Sequence, residues 1–118
     1  DSIREDMRAL PPGREPQDKY YVGYFAGDGT LLAVMDLILG YPQEWTAFIG
    51  FFMVSAARQG TGLGSALVGE ASAYLRTQGY TVLRLGVDKG NPQSLAFWTK
   101  NGFTQVGEGL YIIMEREI

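Results

Sequence analysis

The chain has 118 residues, a net charge of −3, 46% hydrophobic residues, and neither cysteine nor histidine. That length supports one hydrophobic core, and the two missing residue types exclude disulfides, thiolate nucleophiles, the common zinc sites and any Ser-His-Asp or Cys-His arrangement. The mild negative charge argues against a nucleic-acid partner, which needs a basic face, and no apolar run reaches the ~18 to 20 residues of a membrane span, so the expectation is a cytoplasmic domain with no membrane and no metal.

Residues 1–10 read as a short surface helix. Ser2 and Glu5 have the capping-box spacing, Ile3, Met7 and Leu10 fall on one helical face, and Pro11-Pro12-Gly13 ends the run. Residues 20–25 (YYVGYF) are a strand, and Gly27-Asp28-Gly29 turns tightly into a second at 31–39. Asp36 interrupts the apolar run of that second strand. A carboxylate there is unfavourable unless paired or wet, so it faces a polar cleft or caps a bulge. Gly40-Tyr41-Pro42-Gln43 turns the chain again, and residues 46–54 form the next strand.

That strand runs into Ser55-Ala56-Ala57-Arg58-Gln59-Gly60-Thr61-Gly62-Leu63-Gly64-Ser65. Glycines at 60, 62 and 64 let the backbone turn sharply and bring its N–H groups close to a ligand. The start of a helix adds unpaired N–H groups and partial positive charge, so the stretch reads as a phosphate cradle. The helix spans 62–77, with Leu63, Leu67, Ala71 and Leu75 as its core stripe and Gly79 beyond its end. Residues 81–87 are a strand parallel to 46–54, because a helix crosses between the two. A second helix starts at Asp88 or Asn91, carries Pro92 in its first turn and closes at Gly102. Residues 103–106 and 111–115 make a final hairpin around Gly107-Glu108-Gly109.

Three ligand classes use such glycine turns. A P-loop needs Lys and then Ser or Thr after its last glycine, whereas Gly64 is followed by Ser65-Ala66. A dinucleotide site has Asp88 in its favour, but Ser65 stands where its third glycine belongs, and the chain is short for two mononucleotide halves. The spacing Gln59-x-x-Gly62-x-Gly64 resembles the Q/R-x-x-G-x-G/A signature of the GNAT superfamily of acyl-CoA N-acyltransferases. The segment Asn91-Pro92-Gln93-Ser94-Leu95-Ala96-Phe97-Trp98-Thr99-Lys100-Asn101-Gly102-Phe103 resembles the same family's downstream helix and its exit into the next strand. The two motifs stand in the family's order, and the resemblance runs from about Tyr20 to the C-terminus.

The resemblance implies an α/β (α+β) fold: a mixed, mostly antiparallel twisted sheet with helices on both faces and a splayed parallel strand pair holding the coenzyme. It implies one such domain over residues 1–118, with the family's usual first strand and helix missing, which leaves a sheet edge open to pairing with a second copy as a homodimer. Acetyl-CoA is the implied co-substrate. The amides of Gln59, Gly60, Thr61, Gly62, Leu63, Gly64 and Ser65 would hold its pyrophosphate, Phe52, Met53 and Val54 would pair with its pantetheine arm, and Asn91 and Ser94 would border that arm. Arg58 and Lys100 would reach its phosphates or stay solvated on the surface; Asn91 has a competing role as helix N-cap.

The implied reaction is direct attack of an amine, from a small molecule or a peptide N-terminus, on the thioester. Without histidine the base is a carboxylate, and Glu44 and Asp36 are the candidates. Trp98 stands where the family usually has a tyrosine that protonates the departing sulfur, and indole does not ionise in a useful range. Trp98 is therefore either a weakened catalytic position or an aromatic wall of the coenzyme site. A non-catalytic acyl-CoA-binding or sensing module is the alternative function.

Overall fold

The computed structural model describes residues 3–9 and 18–118, with side chains from residue 19 onward. In chain order the elements are β1 (Ile3–Ala9), β2 (Asp18–Ala26), β3 (Leu31–Leu39), β4 (Thr46–Val54), a single 3₁₀ turn (Ala56–Arg58), α1 (Leu63–Thr77), β5 (Val82–Asp88), α2 (Pro92–Lys100), β6 (Thr104–Glu108) and β7 (Tyr111–Glu117). They build one seven-stranded sheet in the order β1-β2-β3-β4-β5-β7-β6, antiparallel throughout except for the β4–β5 pair.

The N-terminal helix expected from the capping box is instead β1, paired antiparallel with β2 from Ile3↔Ala26 to Ala9↔Tyr20. Ile3 and Met7 are four residues apart, which puts them on one face of a helix and equally on one face of a strand. Periodicity alone could not separate the two, and the unpaired edge of β2 decided for the strand. The open edge expected at β2 is therefore occupied by this chain's own residues.

Alternation along the strands sends Val22, Tyr24, Ala33, Met35, Leu37, Ala47, Ile49, Leu83, Leu85, Val87 and Met114 to one face, where they form a single core with Leu67, Val68, Ala71 and Leu75 of α1 and Trp98 of α2. Both helices lie on that face, because both crossovers step in the same direction across the sheet and are right-handed. The other face carries Tyr21, Asp36, Phe48, Phe51, Met53, Arg84 and Glu115. No helix of the described residues is long and apolar enough to cross a membrane.

One irregularity shapes the sheet. Between β3 and β4 the register jumps from Leu37↔Ile49 to Asp36↔Phe51, so Gly50 is an extra residue, a β-bulge. A bulge bends its strand and adds twist. On the opposite side of β4, pairing with β5 runs from Thr46↔Val82 to Ile49↔Leu85 and stops just before the bulge. Beyond it β4 and β5 part, and the gap opens at their C-terminal ends.

Candidate functional site

The gap is the mouth of a cleft of about 510 Å³ between the end of β4, the turn into α1, and α2. Its floor is built by backbone conformation. Gly60 and Gly62 have φ of 78° and 87°, a left-handed region that L side chains rarely adopt. A Cβ on either would meet no atom within 4 Å, so these glycines are required by backbone shape and the space beside them is open. Gly64 is different. Its Cβ would stand 3.2 Å from Phe97 Cε1 and 3.5 Å from Val54 Cγ2, so here glycine lets α1 approach β4 and α2 closely.

No side chain caps the start of α1. Its first N–H groups lack intrahelical partners and, with the helix dipole, favour an anion. Gln59 ties the turn to the strand, its Nε2 donating to the Val54 carbonyl at 2.9 Å. The Thr61 hydroxyl donates to the Arg58 carbonyl and accepts from Leu63 N at 3.4 Å. Thr61 and Leu63 therefore shape the turn and do not line the cleft, whereas Arg58, Gln59, Gly60, Gly62, Gly64 and Ser65 do.

The opposite wall is α2. Asn91 is its N-cap, with Oδ1 accepting from Ser94 N at 3.0 Å, and both residues line the cleft. Phe52, Met53 and Val54 line it from β4, so the sequence-selected strand, turn and helix residues meet in one place. Gln93 and Phe97 also line it and were not singled out from the sequence. Their signal was helical spacing, since Phe97 lies one turn past Ser94 on the face that Gly64 leaves room for.

Trp98 is 7% exposed and forms part of the cleft's inner wall. Its ring centroid lies 5.8 Å from that of Phe52, 4.9 Å from Phe97 and 5.1 Å from Phe103, an aromatic cluster that joins the cleft to the core.

The lining holds two cations, Arg58 and Lys100, and no carboxylate, in a chain whose net charge is −3. Lys100 Nζ sits 5.9 Å from the centre of the Phe97 ring at the rim. The unpaired β4 and β5 backbone beyond the bulge offers N–H and C=O groups to an extended chain. A polyanionic head on an amide-bearing arm fits this donor set. No group of carboxylates able to hold a metal ion occurs among the described residues.

The two candidate carboxylates are far apart. Asp36 is 9% exposed and stands directly across from the Gly50 bulge, on the face of the sheet away from the helices. A Cβ on Gly50 would lie 3.5 Å from Asp36 Oδ2. Lys19 Nζ is 3.7 Å from Oδ2, and Oδ1 has no hydrogen-bond partner. Glu44 is exposed in the turn before β4. At about 3.3 Å per strand residue it is roughly 25 Å from Phe52, at the closed end of the parallel pair. The β3–β4 hairpin thus has two ends, and only Asp36 lies next to the splay.

The model of the acetyltransferase (GNAT) family matches residues 2–103. Mycothiol acetyltransferase of Beutenbergia cavernae is 39% identical over 80 residues, which is 68% of this chain and 26% of that protein. The crystal structure of the PaiA N-acetyltransferase of Thermoplasma acidophilum in complex with coenzyme A superposes with a TM-score of 0.73 at 26% identity, covering 83% of this chain and 60% of the other. An acetyltransferase of Thermus thermophilus superposes with a TM-score of 0.79 at 26% identity, covering 89% and 67%. The chain therefore spans about a quarter of the length of the curated relative it matches.

Proposed function

The chain belongs to the acetyltransferase (GNAT) family, and from that premise we propose that it transfers the acetyl group of acetyl-CoA to a primary amine by direct attack. The observation that carries the reading is the uncapped glycine turn at the start of α1, open above Gly60 and Gly62 and set beside the parted ends of β4 and β5. In this reading the N–H groups of Gly60, Gly62, Gly64 and Ser65 hold the pyrophosphate, Arg58 and Lys100 add charge, and the free backbone of residues 52–54 pairs with the pantetheine amides. Asn91 keeps its cap through Oδ1 and turns its amide nitrogen to the same arm.

The coenzyme supplies an activated acetyl group as a thioester. Backbone N–H groups of β4 just past the bulge stabilise charge on the carbonyl oxygen. Asp36 accepts one proton from the incoming ammonium and frees the nitrogen lone pair. The N–C bond then forms as the C–S bond breaks, the electron pair leaves on sulfur, and the second nitrogen proton goes to the thiolate. A thiol has a reference pKa near 8.5, so the leaving group tolerates the lack of an ionisable donor at Trp98.

A second reading, a non-catalytic acyl-CoA sensor, draws on the enclosure of Trp98 by three aromatic rings where the family usually has a tyrosine. Calorimetric titration of the folded chain with acetyl-CoA, with NAD in a parallel cell, tests the cradle. Amine-dependent release of free thiol then separates the two functions. Binding of NAD alone, or no binding by a folded chain, refutes both.

A further inference from the structure

On the footing of the acetyl-transfer reading, we infer that the face of the sheet opposite α1 and α2, around Asp36, is the acceptor's ammonium subsite, and that the acceptor is a primary amine on an apolar body. The starting point is the incomplete bonding of Asp36. Buried carboxylates normally gather several donors. Here Oδ1 has none, and Lys19 approaches Oδ2 only to 3.7 Å, beyond hydrogen-bonding range.

The neighbours of Asp36 say what would complete it. Tyr21 and Phe51 are its register partners on the two adjoining strands, so they flank it on the same face. They are 50% and 46% exposed. A carboxylate between two aromatic side chains is suited to an organic ammonium, whose N–H groups meet the oxygens while its charge and methylenes lie against the rings.

The apolar body follows from Met53, 52% exposed on the same face at the mouth of the cleft. Lys19 is itself a primary ammonium on a flexible stem. It stands where the acceptor's ammonium would bind, and must move aside for it.

Steady-state thiol release with benzylamine, methylamine and benzyl alcohol tests the inference, alongside calorimetry of acetyl-CoA. Benzylamine should be the best acceptor. Asp36→Asn should raise its KM about tenfold, as expected for loss of a charged hydrogen bond, and lower kcat by about 10²–10⁴-fold, as expected for loss of the base. Lys19→Met should lower it about threefold, the scale of a partly exposed ion pair. Neither should change acetyl-CoA affinity by more than about twofold, since neither residue lines the cleft.

Lys19 is partly exposed, so its variant folds even if Asp36→Asn does not, and an unchanged or raised benzylamine KM in Lys19→Met overturns the inference. A preference for methylamine or benzyl alcohol overturns it as well. Absence of acetyl-CoA binding refutes the transfer reading itself. A chain that binds acetyl-CoA yet neither binds nor acetylates benzylamine refutes only the subsite.

Discussion

The two halves of β4 have one sequence direction and two physical regimes. From Thr46 to Ile49 the strand is laddered on both sides, and Ala47 and Ile49 are buried against Leu83 and Leu85 of β5. From Gly50 to Val54 it is laddered only to β3, Phe51 and Met53 are half exposed, and the β5 side faces the cleft. One inserted residue, Gly50, divides them. The closed half is held by apolar burial, and the open half leaves backbone groups for a ligand. Stability and function can therefore be perturbed separately along a single strand pair.

The largest separation should come from Gly62→Asp on the open side. A carboxylate at φ of 87°, beside an uncapped helix start, occupies the anion's place with like charge. Acetyl-CoA affinity should fall by at least about 100-fold, while the left-handed conformation costs only about 1–2 kcal/mol of stability. Calorimetry and a melting curve on the same sample read both. Unchanged affinity would break the comparison, because the turn would then be structural.

The converse is Leu85→Ala, on β5 opposite Ile49 of the closed half. Leu85 is fully enclosed, and truncation should cost about 2–5 kcal/mol. Acetyl-CoA affinity, measured where the variant is folded, should stay within about twofold. The matching change in the open half, Met53→Ala, should cost under about 1 kcal/mol. Equal destabilisation by the two would mean that the strand is not divided at Gly50.

Gly50→Val acts on the divide itself. The added Cβ stands 3.5 Å from Asp36 Oδ2, ordinary contact, but the branched methyls crowd the carboxylate. Amine kcat/KM should drop about tenfold, or about 1.4 kcal/mol, with acetyl-CoA affinity retained. Loss of acetyl-CoA affinity instead would assign the bulge to the coenzyme side.

Much of this was legible in the sequence, and the failures have identifiable causes. The strand at 31–39 and the glycine turn into α1 carried strong local signals: an apolar run between glycine turns, and alternate glycines before a helical stripe. The N-terminal strand was not legible because Ile3 and Met7 satisfy both periods. Asp36 was recognised as out of place in its strand, yet its bulge partner was not, since Gly50 lies in an apolar run where an inserted residue leaves no local mark. Glu44 and Asp36 share a hairpin in sequence, and only the strand's length showed that they occupy opposite ends of it. The aromatic cluster around Trp98 joins β4, α2 and the residue before β6, contacts that no local pattern encodes.

Trp98→Tyr gives the smallest effect and the finest test, because Trp98 belongs to both regimes, core on one side and cleft wall on the other. A tyrosine leaves part of the indole's volume empty among Phe52, Phe97 and Phe103, which should cost about 1–3 kcal/mol of stability. Its hydroxyl would bring an ionisable donor with a reference pKa near 10 to the cleft side. General acids contribute ~10²–10⁴-fold where proton transfer limits the transition state, but a thiolate leaves tolerably unaided, so turnover should rise only about threefold with acetyl-CoA affinity unchanged. A gain in kcat with a lower melting temperature would mean that the indole serves packing at the expense of rate. A flat kcat with the same loss of stability would place Trp98 wholly in the closed regime, and the departing sulfur would then receive its proton from the amine alone.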